Sequence, residues 1–333
     1  MTPRFIAARL ASLLGLLLVL SLVLFVLQEI SNTDAVAATL GPNASPEAIA
    51  AERARLGLDE PAVDRYLGYL AGLVTGDLGT SFRTKQPVTE DIGTYLPATL
   101  ELVLFAFAVA LVLAVLFALT SVLRWRGAGA FRGVLFLAST APTFLLGIFS
   151  LVVFYLNLNW LPGSGRLSGS FEAGGPTGLL VLDGLLTGDP ALSLDALEHL
   201  LLPGLALAVG PALAIGRVFR SSLLTTLEAE HVRTARAKGL TERRVVLRHV
   251  VRNSVNAALS MSGLQIGFMF AGVLVVESVF SWPGLGSYLG AGIPVSDFPA
   301  VAGVTFVLGA VYITANAVAD ILQGMADPRV AAS

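Results

Sequence analysis

Nine of the chain's 21 lysines and arginines fall in one stretch, RVFRSSLLTTLEAEHVRTARAKGLTERRVVLRHVVR, between Arg217 and Arg252. They are Arg217, Arg220, Arg233, Arg236, Lys238, Arg243, Arg244, Arg248 and Arg252. Apolar runs long enough to cross a bilayer flank this island on both sides. An arginine or lysine at a bilayer centre costs roughly 2.5–3.5 kcal/mol, so the island stays in water, and its charge assigns it to the cytoplasmic side. Its chemistry is charge pairing. Glu228 to Lys238 is rich in helix formers, Gly239 is a helix stop, and Thr241 opens a second helix carrying Val245, Val246 and Val250. Short exposed helices are marginal alone, so one here is expected to pack in a partner's groove. The small residues Ala235, Ala237 and Gly239 permit close backbone approach. That favours protein docking over plain attraction to anionic lipid headgroups, which offers about 1 kcal/mol per cation.

Three carboxylates, Glu101, Glu277 and Asp320, lie within or at the ends of apolar runs. An ionisable group in such a place is either functional or tied down locally. All three lie near run ends, where water reaches. The reading preferred is therefore that they anchor helix ends through hydrogen bonds, ahead of a proton relay or a substrate ligand.

Other chemistries find little support. A phosphate-cradling loop needs Gly-x-x-x-x-Gly-Lys-Ser/Thr, and the two lysines, Lys85 and Lys238, sit in no such pattern. The three histidines, His199, His231 and His249, have no metal-ligand spacing, and no Gly-x-Ser-x-Gly elbow appears. The absence of cysteine removes disulfides and thiol chemistry and leaves the redox compartment open. A net charge of -2 gives no global basic field for nucleic acid.

The elements that position these groups follow from hydropathy. The chain is 55% hydrophobic and 13% charged, against about 25% charged in average soluble domains. It reads as an all-α polytopic membrane protein. Six apolar runs stand out, at Leu10–Leu27, Ala98–Leu123, Val134–Leu156, Leu200–Val218, Ala257–Val276 and Ala300–Leu322. A spanning helix needs about 20 residues. The fourth run is the weakest, punctuated by Pro203, Gly204, Gly210, Pro211 and Gly216. Arg4 and Arg9, then Arg124, Arg126 and Arg132, then the basic island, then Arg329 occupy alternate connections. Arg53, Arg55, Arg65, Arg83, Lys85 and Arg166 fall in the others. The asymmetry puts both termini inside. Ala35-Val36-Ala37 imitates a signal-peptide cleavage site. The preceding apolar core, however, exceeds the usual length of about 7–15 residues, so the first run is read as a retained span.

The chain divides into a first spanning helix (residues 1–30), an outer helical loop (31–96) and a five-helix core (97–333) with a cytoplasmic loop over 221–256. In the outer loop, Ser45-Pro46-Glu47 opens a helix that stops at Gly57. A second helix runs from Asp59-Glu60-Pro61 through Tyr66 and Leu70 toward Gly76. Their apolar residues suit either a cap over the outer mouth or a contact for an extracytoplasmic partner. Leu179–Leu186 is too short to span and reads as a lateral or re-entrant segment. Gly263, Gly267 and Ala271 recur every four residues on the fifth run, a spacing that permits close helix approach. The neighbour is either another helix of this chain or a second copy of the same kind of protein lining a path.

The run Arg233-Thr234-Ala235-Arg236-Ala237-Lys238-Gly239-Leu240, followed by Val246-Leu247-Arg248-His249, resembles the EAA loop of binding-protein-dependent ABC importer permeases. It looks most like the first permease subunit of the peptide and nickel branch. Further matches follow in order along nearly the whole chain. They include Gly76-Asp77-Leu78-Gly79, Leu96-Pro97-Ala98-Thr99-Leu100-Glu101-Leu102, Ala141-Pro142-Thr143-Phe144, Trp160-Leu161-Pro162, Pro283-Gly284-Leu285-Gly286 and Asp327-Pro328-Arg329. Two positions depart from the pattern. The motif's Glu-Ala is Arg233-Thr234, and the proline often found near its end is Ala257.

The resemblance implies a type I importer permease fold of six spans in a bacterial or archaeal cytoplasmic membrane. It implies a coupling helix ending at Gly239, with Arg233, Thr234, Ala235, Ala237, Gly239, Leu240 and Arg243 at the ATPase contact. The expected partners are a second homologous permease, two cytoplasmic ATP-binding subunits that hold the ATP and magnesium, an extracytoplasmic solute-binding protein and membrane lipid. Peptides or a related small solute would be the cargo, and no catalytic residue is expected in this chain. The rival is a channel or receptor that needs no ATPase, with the island as a lipid or regulatory contact.

Overall fold

The computed structural model describes residues 3–30, 45–55, 59–120, 122, 126–169 and 174–326, and the described elements are helices of several kinds. Helix α1 (Pro3–Ile30) is the first apolar run. Two short helices follow, α2 (Pro46–Arg55) and α3 (Ala62–Thr75). Ser45 accepts from the Ala48 amide at 3.2 Å as an N-cap does, and Gly76 ends α3 in the left-handed region at φ 82°. The Gly57 stop and the Ala35-Val36-Ala37 triplet lie outside the described residues.

Helix α4 (Val88–Leu119) starts ten residues before its apolar run and carries Pro97 inside it. Its first turns are not membrane filler. Val88 and Ile92 pack with Leu285, Tyr288, Ala300 and Val304 in a small core of their own.

The third apolar run departs from expectation. It is not one straight span but two helices, α5 (Ala128–Thr140) and α6 (Thr143–Ser150), the latter continuing as a π-helix over Leu151–Asn157. The two halves meet at 113°. Pro142 is the physical cause, since proline forces the residue before it out of the helical region, and Ala141 is extended at ψ 142°. The halves pack at different levels of the bundle. Leu135 joins Phe117 and Leu213 near the basic end. Leu146, Leu151 and Phe154 join the core around Ala98, Leu102, Phe280 and Trp282 near the opposite end. Together the bent pair reaches from one level of the bundle to the other.

The fourth run also differs. Its prolines and glycines do not shorten it. Helix α8 (Pro190–Leu227) is 38 residues long, with Pro203 and Pro211 inside; a short helix, α7 (Leu180–Thr187), precedes it. Asp189 caps α8 by accepting from the amides of Ala191 and Leu192. At about 1.5 Å per residue, α8 is far longer than the roughly 30 Å of hydrocarbon it must cross. The small residues that looked like punctuation are a packing stripe. Gly204, Ala208, Ala212 and Gly216 on α8 are buried, as are Ala98, Leu102, Ala106, Ala110, Ala114 and Ala118 on α4. Ala98–Ala110 share one core with Leu200–Ala212, and Ala114 and Ala118 share the next with Ile215, Phe219 and Leu223, so α4 and α8 run parallel. Any side chain at Gly204 would strike the Phe105 ring.

Within the basic island lie α9 (Glu230–Ala237) and α10 (Glu242–Val245). The latter runs through a π turn (Val246–Val250) into α11 (Val251–Val279) without a break, making one 38-residue helix from Glu242. The second little helix expected at Thr241 is therefore the head of the fifth span. Thr241 holds the capping position in extended backbone, but its side chain makes no capping bond. Helix α12 (Leu285–Gly292), a 3-10 turn (Ile293–Val295) and α13 (Phe298–Ala326) complete the chain. Among the described residues, five helices are long and apolar enough to cross a membrane, or six if the bent pair counts as one span. The protein is an all-α polytopic membrane protein.

Candidate functional site: the basic loop and its anchorage

Helix α9 is two-faced. Val232 is fully buried and Ala235 is 5% exposed. Both join Ile215, Phe219 and Leu223 of α8, Ala114 and Ala118 of α4, and Val245, Val250 and Ala258 in one core at the basic end. Leu240 packs on the edge of that core. Arg233, Thr234, Arg236, Ala237, Lys238 and Gly239 are exposed. The three-residue spacing of Val232 and Ala235 puts both on the inner side of a 3.6-residue helix and everything charged on the outer side.

The seven loop residues singled out in the sequence therefore divide. Arg233, Thr234, Ala237, Gly239 and Arg243 face outward. Ala235 is buried and Leu240 half-buried against the helix bundle. Ala235 is small because the helix bundle lies against it. Together with Val232 these residues seat α9 against α4, α8 and α11.

Gly239 adopts φ 77°, a left-handed conformation that costs a residue with a side chain roughly 1–2 kcal/mol. A Cβ there would meet nothing within 4 Å. The glycine is thus required by the turn and not by crowding within this chain. Across the turn, Arg236 grips Glu242 through Nε at 3.1 Å and Nη2 at 2.6 Å. This hydrogen-bonded carboxylate holds the Arg236 guanidinium even more firmly charged than usual. Both side chains are open to solvent, so the pair fixes the angle of the turn more than it adds stability. On α8, Arg217 lies over the Phe136 ring of α5, with its guanidinium carbon 5.1 Å from the ring centre.

Two of the three membrane acids, Glu277 and Glu101, sit at the opposite end and act as rivets. Glu277, fully buried at the end of α11, accepts from Thr99 Oγ1 at 2.6 Å and from the Gly286 and Ser287 amides at 2.6 and 3.1 Å. Gly284 and Gly286 leave the room that its carboxylate fills. Glu101 accepts from Arg166 Nη2 at 2.5 Å and from the Val181 amide at 2.8 Å. Arg166 also donates to the Gly178 carbonyl at 2.7 Å and lies over Trp282, whose indole donates to the Ala98 carbonyl at 2.9 Å. The anchoring reading of these two acids thus has a direct geometric basis. Asp320 lies on α13, with its side chain outside the described residues.

Sequence reasoning missed three further carboxylates of the same kind. Asp91 accepts from Tyr288 Oη at 2.7 Å and Thr84 Oγ1 at 2.6 Å. Asp183 accepts from the amide and the hydroxyl of Thr177 at 2.9 and 2.6 Å. Asp297 accepts from Ser81 Oγ at 2.5 Å and from the Phe82 and Arg83 amides at 2.9 and 3.1 Å. Their partners lie in loops or, for Tyr288, on α12, and no spacing in the sequence links them to these acids.

The stripe on α11 splits as well. A side chain at Gly263 would meet Ala319, and one at Gly267 would strike the Tyr312 ring, so both glycines seat α13 within this chain. Ala271 is exposed. It falls in line with exposed Leu264, Phe268 and Val275 on a different face of α11.

Residues 110–332 match the family described as binding-protein-dependent transport system inner membrane component, and residues 2–103 match its N-terminal companion. The chain is 37% identical over 330 residues to the di/tripeptide transport system permease protein DppB of Pseudomonas aeruginosa, covering 98% of each chain. It is 35% identical over 326 residues to the dipeptide transport system permease protein DppB of Alkalihalophilus pseudofirmus, covering 97% of each. It is 36% identical over 325 residues to the probable D,D-dipeptide transport system permease protein DdpB of Escherichia coli, covering 95% of each. With both family regions matched in order and a bundle of apolar spans bearing one basic loop, the chain belongs to the family of inner membrane permease components of binding-protein-dependent transport systems.

Proposed function

We propose that this chain forms one half of the translocation path of an ATP-driven importer of short peptides, and that α9 is its coupling helix. The carrying observation is the division of α9 into a face buried in the bundle, through Val232 and Ala235, and an exposed cationic face ending at Gly239. A second homologous permease would complete the path. Two cytoplasmic ATP-binding subunits would hold ATP and magnesium, and their acids would meet Arg233 and Arg243. An extracytoplasmic binding protein would deliver the peptide. The names of the three relatives support the cargo class. The basic loop would lie in the cytoplasm with both termini, as the distribution of arginines favours.

The mechanism is alternating access. ATP binding closes the ATPase pair, α9 is displaced, and the Val232 and Ala235 anchorage carries that displacement into α4, α8 and α11. Gly239 replaced by a bulky residue is expected to abolish peptide-stimulated ATP hydrolysis in the reconstituted complex while the permease still inserts and co-purifies. Unchanged stimulation removes the assignment. Orientation is tested separately by a cysteine at Ala237. Modification by an impermeant reagent in intact cells would reverse the topology and defeat the proposal.

A further inference from the structure

Among the described residues, helix α3 leaves half of its apolar surface without a protein neighbour. Tyr66 and Tyr69 pack on α1, with ring centres 5.3 and 6.1 Å from that of Phe25. Beside them, Leu70, Val63, Val74 and Leu67 follow one another within about 60° of helix arc, at 3.6 residues per turn. Val63, Leu67 and Val74 are 68%, 57% and 88% exposed. The far side carries Asp64, Gly68 and Thr75. The level of α3 is fixed by its first turn. Arg65 makes a bidentate pair with Glu29 at 2.9 and 2.6 Å, and the Tyr66 hydroxyl lies 3.0 Å from Ser21 Oγ. Glu29 lies at the end and Ser21 at the middle of the span Ala11–Ile30, which at 1.5 Å per residue rises only about 13 Å from Ser21 to its end. The unpartnered flank continues the exposed apolar surface of α1 itself, at Leu18, Leu22 and Val26.

We infer that α3 is an interfacial helix, with Val63, Leu67 and Val74 immersed in the leaflet at the Ile30 end of α1 and Asp64 turned to water. An amphipathic helix in this position beds about 5–10 Å into the headgroup and acyl boundary, and tyrosines are enriched at that level. The inference depends on α1 crossing the membrane and not on the coupling role of α9, so the two can fail separately. It assigns α3 to lipid, not to a cap over a pore or a seat for the binding protein.

The chain has no cysteine, so nitroxide labels at Leu67→Cys, Val74→Cys and Asp64→Cys can each be read alone once the complex is assembled with cysteine-free partner subunits. Collision with oxygen and with a water-soluble nickel chelate is measured by spin resonance in phosphatidylethanolamine–phosphatidylglycerol vesicles. The oxygen-to-nickel collision ratio at Leu67 and Val74 is expected to exceed that at Asp64 by several-fold. Equal ratios at the three sites place α3 in water and overturn the inference. Labels at Leu67 and Val74 shielded from both reagents mean a protein covers the face, which also overturns it.

Discussion

Thr99 and Glu277 stand 178 residues apart in the chain and 2.6 Å apart in the bundle. The same Thr99 hydroxyl oxygen accepts from the Leu285 amide at 2.8 Å. One threonine therefore links the end of α11, the start of α12 and the body of α4. Glu277 offers a further lone pair to each of two backbone amides that would otherwise be buried without partners. A carboxylate is suited to this place because it accepts at both oxygens and donates nothing.

The first prediction follows from that bookkeeping of donors. Glu277→Ala strands the Thr99 hydroxyl and the amides of Gly286 and Ser287. Each unsatisfied buried donor costs about 1–3 kcal/mol, so a loss of about 3 kcal/mol or more is expected. Glu277→Gln can keep its oxygen on both amides, which share Oε2, but turns a donor toward the Thr99 hydroxyl, and should fall between wild type and Glu277→Ala. The measurement is thermal unfolding of the detergent-purified complex. Equal stability of all three proteins would remove the rivet role.

Glu101 and Arg166 provide a sharper contrast. Their side chains are 7% and 13% exposed. Removing one partner of a buried pair strands a charge and costs about 3–5 kcal/mol, whereas replacing both is far milder. Arg166→Met alone should destabilise strongly, and Arg166→Met with Glu101→Gln should recover much of the loss. A double-mutant cycle on unfolding midpoints tests this. Additive effects would mean the two residues do not act as a pair.

Much of this could be read from the sequence, and the failures have physical causes. Run length located the spans, because an apolar stretch of about 20 residues has few alternatives. Gly239 marked the end of α9 correctly, because a left-handed turn needs a residue without Cβ. Pro203 and Gly204 made the fourth run look weakest without ending it. There, proline and glycine serve contact with α4 inside a continuous helix, and neighbours re-satisfy the freed groups. Pro142 was in plain view, yet hydropathy is blind to direction and gave no hint of the 113° bend. The burial of Ala235 against α8 and α4 was not legible, because a small residue looks the same whichever neighbour crowds it. The Glu101–Arg166 pair lay beyond reach, since its members sit 65 positions apart with no periodicity between them.

Gly239 separates backbone need from docking need. Space around its Cβ position is open within this chain, so Gly239→Asn, which tolerates the left-handed region, should insert and fold near normally. Gly239→Ala should cost the isolated chain only about 1–2 kcal/mol. Neither substitution is as large as tryptophan, so coupled ATP hydrolysis should fall in the order Gly, Asn, Trp while the amount of assembled complex stays level. Parallel loss of assembly and coupling would instead assign Gly239 to folding or subunit binding alone.

The contact between α11 and α13 supplies the last prediction. A methyl group at Gly267 would overlap the Tyr312 ring, whereas one at Gly263 would press on the Ala319 methyl. Forced overpacking of this kind costs roughly 1–3 kcal/mol. Tyr312 is 38% exposed, so its ring has an open side toward which it can swing. Gly267→Ala should therefore be relieved by Tyr312→Leu, which clears the ring without emptying the seat. Gly263→Ala should not be relieved, because Tyr312 is not the atom it strikes. Unfolding midpoints of the two single and two double variants decide the matter. Equal rescue of both glycine variants would show that α13 shifts as a whole, and that the glycines do not each fit a particular neighbour.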